Sequence, residues 1–296
     1  MPRGAPDPSR LRPALPSPLQ PVDDGRFARH GVRLLLKRDD LIHPDLPGNK
    51  WRKLAPNLTA AAGRTVLTFG GAYSNHLRAT AAAGRLLSFP TIGVVRGDEL
   101  AGRPLNPSLA RCAADGMRLY FVDRGAYRAK AVPAGLAGAG TYVVPEGGSN
   151  IPAVRGCADL GRELHGLADT VAVAVGTGGT IAGLAAGLAP GQRAIGFPVL
   201  RGDFLGKEVQ ALQRAAFGGR AGEWSLDDRF HFGGYARVTA TLETFAADFE
   251  ERHGLPVERL YVAKMLYGLM TLAAEGRFPP GTRVAAVITG QPVSSR

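Results

Sequence analysis

The sequence predicts an α/β protein built on two open, mostly parallel sheets, with helices on both faces and a cleft between the sheets. Three observations predict it. Residues 171–175 read Val-Ala-Val-Ala-Val, an unbroken apolar run of the kind found in strands buried on both faces, as parallel strands are. Runs of this kind alternate with helical segments, which calls for right-handed crossovers. The 40 glycines and 22 prolines punctuate the chain at intervals that suit short βα and αβ connections.

Residues 1 to about 28 read as an extended arm broken by prolines, and 32–36 as a strand. A helix over 48–63 follows, interrupted near Pro56, because proline lacks the N–H and clashes with the preceding turn. Then comes a regular succession: strand 65–69, helix 75–87, strand 91–95, helix 107–115, strand 118–122, helix 127–135 and strand 141–144. The second half repeats it, with a helix to 167, strand 170–175, helix 181–188, strand 193–197 and a helix near 208–216. A helix over 242–252, another from near Lys264 and a strand over 283–288 complete the order. The break near residue 146 divides the chain into a large domain (1–50 and 146–296) and a small one (51–145).

The formal charge is +11, from 36 basic and 25 acidic residues. The arginines are scattered and no basic run is interleaved with aromatics, so a solvated arginine-rich surface is expected and nucleic-acid binding is not. Cys112 and Cys157 have no metal-type spacing and read as free buried thiols of a reducing cytoplasm. The remaining histidines pair with no Cys, Asp or Glu, so no metal site is expected. The first 24 residues lack an apolar core of a signal peptide, and no run nears the ~20 apolar residues of a membrane span. A cytoplasmic protein is the expectation.

Three segments carry candidate chemistry. Lys50, one of six lysines, stands in Pro47-Gly48-Asn49-Lys50-Trp51-Arg52-Lys53-Leu54, where a glycine turn after a strand can present an amine to a cleft. In Gly176-Thr177-Gly178-Gly179-Thr180, main-chain N–H groups can converge on an anion beside the positive end of the following helix. A dinucleotide fingerprint would need a small residue where Ile181 stands and an acid after the next strand, and a triphosphate loop would need Gly-Lys-Ser/Thr. One phosphate therefore fits better, although a tight strand–helix turn without ligand uses the same glycines. The third segment, Gly70-Gly71-Ala72-Tyr73-Ser74-Asn75-His76, ends a strand where open sheets bind ligands. Ser74 or Asn75 could equally be a helix cap, and His76 reads as a partly buried helical residue rather than a catalyst. Tyr235 and Tyr261 lie beside short turns and would also serve as core aromatics. An amine able to form a Schiff base and a cradle for a phosphate are the two groups a pyridoxal phosphate enzyme needs.

In order, these pieces resemble the 1-aminocyclopropane-1-carboxylate deaminase and D-cysteine desulfhydrase family, pyridoxal phosphate enzymes of the tryptophan-synthase-β-like fold (fold type II). The resemblance runs from about residue 11 through Lys37-Arg38-Asp39-Asp40, Gly48 to Leu54, Gly70 to His76, Glu146 to Asn150, Gly176 to Gly183, Phe232 to Ala236 and Tyr261 to Gly268. It implies pyridoxal 5'-phosphate as cofactor, a small amino acid as substrate and a homodimer. It implies that Lys50 binds the cofactor as an imine and shuttles protons, and that Asn75 bonds the cofactor's phenolic oxygen. Ser74 would sit over the substrate carboxylate or assist proton transfer, Gly176, Thr177, Gly178, Gly179 and Thr180 would hold the phosphate, and Tyr235 and Tyr261 would border the substrate as acid, base or gate. Lys264 also matches a family position, but the phosphate loop favours Lys50 as the attachment point.

The last quarter departs from the family. Val262 stands where the family has threonine or glutamate, and the family's His-Thr-Gly-Gly appears as Ile288-Thr289-Gly290-Gln291. Thr289 remains as a candidate partner for the pyridine nitrogen; Val262 cannot be one. Losing the glutamate argues against cyclopropane ring opening. The expectation is a desulfhydrase-like α,β-elimination giving a keto acid and ammonia, with ring opening, racemisation, β-replacement or cofactor binding with little turnover as alternatives.

Overall fold

The structure, a computed structural model, describes residues 7–136 and 138–290. In chain order its elements are β1 (Leu19–Val22), α1 (Gly25–Ala28), β2 (Arg33–Lys37), α2 (Asn49–Ala61), β3 (Thr65–Gly70), α3 (Asn75–Leu87) and β4 (Thr91–Arg96). Next are α4 (Pro107–Ala114), β5 (Arg118–Val122), α5 (Arg124–Arg128), β6 (Thr141–Val144), α6 (Ile151–Arg162) and β7 (Thr170–Val175). The chain continues with α7 (Gly179–Gly187), β8 (Arg193–Pro198), α8 (Leu205–Phe217), β9 (Glu223–Leu226), α9 (Ala240–His253), α10 (Val262–Ala274) and β10 (Arg283–Val287).

Two open sheets result. One has six strands in the order β1-β2-β10-β7-β8-β9, all parallel except for the antiparallel β1–β2 pair. The other has four parallel strands in the order β5-β4-β3-β6. The apolar run of β7 is buried on both sides, as its sequence predicts. Ala172 and Ala174 join Phe197, Phe249 and Leu266 in one core cluster, whereas Val171, Val173 and Val175 join Ile181 and Leu184 in another. No helix among the described residues is long and apolar enough to cross a membrane.

Several local expectations are corrected. The arm before residue 28 is not merely extended: it contributes β1 and α1. Pro21 is compatible with β1 because that strand is the sheet edge, where a missing N–H costs little. Helix α2 runs through Pro56 without interruption. The ring removes the donor that the carbonyl of Arg52 would use, and α6 comes in against that spot. A Cβ on Gly156 would lie 2.3 Å from the Arg52 carbonyl oxygen and 2.7 Å from Pro56 Cγ. The expected helix over 127–135 is the shorter α5, started by Asp123, whose Oδ1 accepts from the N–H groups of Gly125 and Ala126. Edge strand β9 was not expected at all.

Candidate active site

Lys50 lies in the first turn of α2, and the turn before it is fixed by close backbone packing. Gly48 has φ +65°, and a Cβ there would sit 1.9 Å from the carbonyl oxygen of Thr289, so only glycine fits. The Gly48 N–H donates to Asp39 O at 2.8 Å, and the Asp40 N–H to Ile288 O at 2.9 Å. These contacts bring Thr289, just past β10, against the start of α2. One turn in, the buried guanidinium of Arg52 forks onto Asp39 through Nε and Nη2, both at 2.7 Å, and reaches Glu163 at 2.9–3.0 Å. Lys37 Nζ meets the same Glu163 at 2.6 Å, and Ser17 Oγ donates to Asp39 at 2.6 Å.

The amine itself points toward the glycine loop. Lys50 Nζ donates to Asn49 Oδ1 at 2.6 Å, and Asn49 Nδ2 donates to Thr180 Oγ1 at 3.2 Å. Two hydrogen bonds thus join Lys50 to the first turn of α7. Burial, reinforced by Lys53, lowers the Lys50 pKa to about 7, against the opposing influence of Cys157 and Glu258. Near neutrality a substantial fraction of this amine is unprotonated and nucleophilic.

At the loop, Gly178 has φ +80° and Gly179 opens α7. A Cβ on Gly179 would lie 2.5 Å from Ser149 Oγ. The hydroxyls of Ser149 and Thr177 are 2.6 Å apart, and Lys53 Nζ donates to Ser149 Oγ at 3.2 Å and to Gly147 O at 2.9 Å. The amine of Lys53, whose pKa burial lowers, two hydroxyls and the N–H groups of a helix start therefore converge at the start of α7. Farther along α7, a Cβ on Gly183 or Gly187 would sit 2.0 or 1.9 Å from the carbonyl oxygens of Val154 or Ala158, so α7 packs backbone to backbone on α6.

The β3–α3 loop forms the facing wall. Ser74 caps α3, its Oγ accepting the N–H of Leu77 at 3.3 Å, and Asn75 is exposed with no side-chain hydrogen bond among the described residues. His76 is buried. Thr68 donates its single hydroxyl hydrogen to Val144 O at 2.8 Å, so the 2.9 Å contact between Thr68 Oγ1 and His76 Nε2 has the imidazole as donor. That fixes the Nε2–H tautomer and leaves Nδ1 as a buried lone pair without a partner among the described residues. Gly148 lies against it, since a Cβ there would meet His76 Cε1 at 3.0 Å and Lys53 Cβ at 3.5 Å. Burial first, then Lys50 and Lys53, lower the His76 pKa to about 3, so the ring is a neutral acceptor.

Tyr261 closes the side nearest β7. Its ring lies 3.3 Å from where a Gly176 Cβ would be, and Tyr235 packs edge-on to it at 6.0 Å between centroids. Burial and the neighbouring Tyr235 push the Tyr261 hydroxyl pKa well above its ordinary value, so it is a proton donor rather than a phenolate. Tyr235 is 45% exposed. Its loop has left-handed backbone at Phe232, Gly233, Gly234 and Ala236, and the ammonium of buried Lys264 donates to the carbonyls of His231 (3.0 Å) and Gly234 (2.9 Å). Lys264 is thus engaged in holding a loop. Glu258 accepts from the N–H groups of Leu260, Tyr261 and Val262 at 2.7, 2.7 and 3.3 Å. No cluster of three or more His, Cys, Asp or Glu that could hold a metal exists among the described residues.

Residues 12–290 match the family of pyridoxal-phosphate dependent enzymes. The chain belongs to that family. As a member, it is 29% identical over 309 residues to a D-cysteine desulfhydrase of Klebsiella pneumoniae, covering 93% of this chain and 91% of that one. It is 28% identical over 293 residues to a bifunctional D-cysteine desulfhydrase/1-aminocyclopropane-1-carboxylate deaminase, mitochondrial, of Arabidopsis thaliana, covering 88% and 73%. A crystal structure of an ACC deaminase homologue superposes with a TM-score of 0.80 at 26% identity, covering 96% of this chain and 94% of that one. The fold is that of the type II pyridoxal phosphate enzymes.

The residues present fit the family's cofactor. A lysine amine near its neutral form is joined through Asn49 to the same turn where Lys53, Ser149, Thr177 and the start of α7 offer donors to one phosphate. The structure brings Lys50, Thr289, the 176–180 loop and Tyr261 together, with Tyr235 on Tyr261. Ser74 and Asn75 immediately precede His76, which feels the charge of Lys50. Val262 is 1% exposed and apolar, and Gln291 lies outside the described residues. Sequence reasoning gave no role to Asn49, Lys53, Ser149 or Glu258. Lys53 had a signal: three residues after Lys50, it shares that residue's helical face. Glu258 had a weaker one, a carboxylate just before a helix start.

Proposed function

We propose that this chain is a lyase that deaminates a small amino acid by α,β-elimination, in the manner of a D-cysteine desulfhydrase, releasing a keto acid and ammonia. The observation that carries this reading is the hydrogen-bonded path Lys50–Asn49–Thr180, which spans the reach from attachment point to phosphate cradle. When bound, the cofactor supplies an electron sink for the carbanion at the substrate's α-carbon. Lys50 would be the cofactor's covalent anchor and the base that takes the α-proton. Gly176, Thr177, Gly178, Gly179 and Thr180 hold the phosphate with Lys53 and Ser149. Asn75 bonds the phenolic oxygen, Ser74 binds the substrate carboxylate, and Thr289 meets the ring nitrogen. Tyr261, kept protonated by burial, donates to the departing β-substituent, and Tyr235 shields that step from water. The product enamine then hydrolyses to the keto acid and ammonia.

Elimination is favoured over cyclopropane ring opening because residue 262 supplies no acid to draw charge into the ring. In this reading residues 51–145 form a small domain carrying Ser74 and Asn75, residues 1–50 and 146–296 form the cofactor domain, and the enzyme is a cytoplasmic homodimer. The test is direct. Purified protein with pyridoxal phosphate should be yellow, and D-cysteine should yield pyruvate, ammonia and sulfide in equal amounts. Lys50→Ala should abolish the visible band and the products. A K50A protein that keeps the band, or a spectral response to amino acids with no keto acid released, overturns the reading.

A further inference from the structure

Glu146 opens the short span from β6 to the anion cradle, and the proposed reaction gives it no role. The span reads Glu146-Gly147-Gly148-Ser149, and both glycines take left-handed backbone, with φ +67° and +70°. Two adjacent glycines lose more backbone freedom on ordering than any other pair. Ser149 nevertheless arrives at one place, its hydroxyl 2.6 Å from that of Thr177. Close packing confines the middle of the span. A Cβ on Gly147 would lie 2.9 Å from the Thr177 side chain, and one on Gly148 would lie 3.0 Å from His76 Cε1. Side chains grip the two ends. After the span, Asn150 exchanges amide hydrogen bonds with Asn57 at 2.7 and 3.0 Å, and Asn57 Oδ1 also accepts from Tyr142 at 2.9 Å. At its start, Tyr127 of α5 donates its hydroxyl to Glu146 Oε1 at 2.6 Å, and Lys130 Nζ pairs with Oε2.

Tyr127 is itself fixed. It is 3% exposed, meets Phe69 of β3 edge-on at 6.3 Å between centroids, and carries Lys130 Nζ over its ring at 3.9 Å. The Lys130 and Glu146 side chains are 41% and 40% exposed, so their ion pair alone contributes little. The charge-assisted hydrogen bond from the buried tyrosine is the firmer grip.

We propose that Glu146 is a positioning residue for the anion cradle: held by Tyr127, it fixes the two-glycine span that delivers Ser149 to Thr177. The proposal rests on the reading that this cradle takes a phosphate. Lys53 Nζ donates to Gly147 O at 2.9 Å and to Ser149 Oγ at 3.2 Å, so a shift of the span displaces amine and hydroxyl together. With Glu146 released, Gly147 and Gly148 regain conformers, and the donors are no longer preorganised for an anion. The loss falls on the cofactor's phosphate rather than on its aldehyde, whose partner, Lys50, is held through Asn49 and Thr180 instead.

Pyridoxal phosphate and pyridoxal, which lacks the phosphate, separate the two effects. The affinity of each is read from the visible band as it is titrated into cofactor-free protein. Glu146→Ala should weaken pyridoxal phosphate about tenfold and pyridoxal by less than about twofold. Tyr127→Phe should show the same pattern at about threefold. Glu146→Gln, which keeps an acceptor for the tyrosine, should restore most of the wild-type preference. A residue that only stabilised the fold would weaken both aldehydes alike, so equal losses in E146A, or none, overturn the proposal. Should E146A not fold, Y127F is judged by the same ratio. A wild-type protein that forms no band with either aldehyde sinks the proposed function, and inorganic phosphate then judges Glu146. Phosphate should raise the thermal midpoint of wild type more than that of E146A or Y127F. Equal shifts, zero included, would end the proposal.

Discussion

Asn49 and Thr180, 131 residues apart in sequence, are joined by a 3.2 Å hydrogen bond that ties the first turn of α2 to the first turn of α7. The other end of the Asn49 amide accepts from Lys50. Amine and anion cradle are therefore held in register by one side chain. Asn49→Ala should loosen cofactor binding about tenfold, the value of one hydrogen bond of about 1.4 kcal/mol. Equilibrium dialysis of pyridoxal phosphate against wild type and variant checks this. Equal dissociation constants would remove Asn49 from the cofactor's support.

Lys264 is predicted to act through the loop it clasps. Lys264→Met keeps the volume but leaves the carbonyls of His231 and Gly234 without their donor. A cost of roughly 1–3 kcal/mol in stability is expected. Because the loop carries Tyr235, turnover should fall about tenfold, while cofactor affinity stays within about twofold of wild type. Urea unfolding, steady-state rates and dialysis separate the three effects.

The α6–α7 contact leaves no room for a methyl group. Gly187→Ala would drive a Cβ to 1.9 Å from Ala158 O, a backbone atom that cannot swing aside. Overpacking of this kind costs about 1–3 kcal/mol, and the upper end is expected here. The control is Gly206→Ala in α8, where a Cβ meets nothing within 4 Å. Urea midpoints for G187A and G206A should differ clearly.

His76 sets a pH dependence whose sign follows from its environment. An unfolded histidine takes a proton near pH 6.5, whereas burial, Lys50 and Lys53 delay this in the folded chain to about 3. Between those values the unfolded state binds more protons, so stability falls on acidification, by at most about 1.4 kcal/mol per pH unit for one proton. His76→Gln should flatten the urea-midpoint curve between pH 6.5 and 5, above the range where most carboxylates titrate. An unchanged slope would mean that the ring finds a partner for Nδ1.

Much of this architecture can be read from the sequence because its signals are local. The double-sided burial of β7 is written in five consecutive residues, and Gly48 and Gly178 mark turns that require positive φ. What escaped was set by partners distant in sequence. β1 and β9 are four-residue edge strands, one containing Pro21, and owe their existence to the neighbours they pair with. At Pro56 the carbonyl it frees, that of Arg52, lies against Gly156 of another helix. Asn49, Lys53, Ser149 and Glu258 show their use only where α2, the segment before α6, the α7 turn and the segment before α10 converge. The neutral state of His76 is likewise invisible without Thr68 and Val144.

The quartet of buried Lys37, Asp39 and Arg52 with part-buried Glu163 contains two cations and two anions and sums to zero. Deleting any one member strands an opposite charge away from water, a loss of about 3–5 kcal/mol, whereas replacing the whole set with apolar groups can be neutral. The mount beneath Lys50 is consequently resistant to single changes. A protein engineer wishing to re-aim that lysine should exchange all four residues together rather than search among point variants.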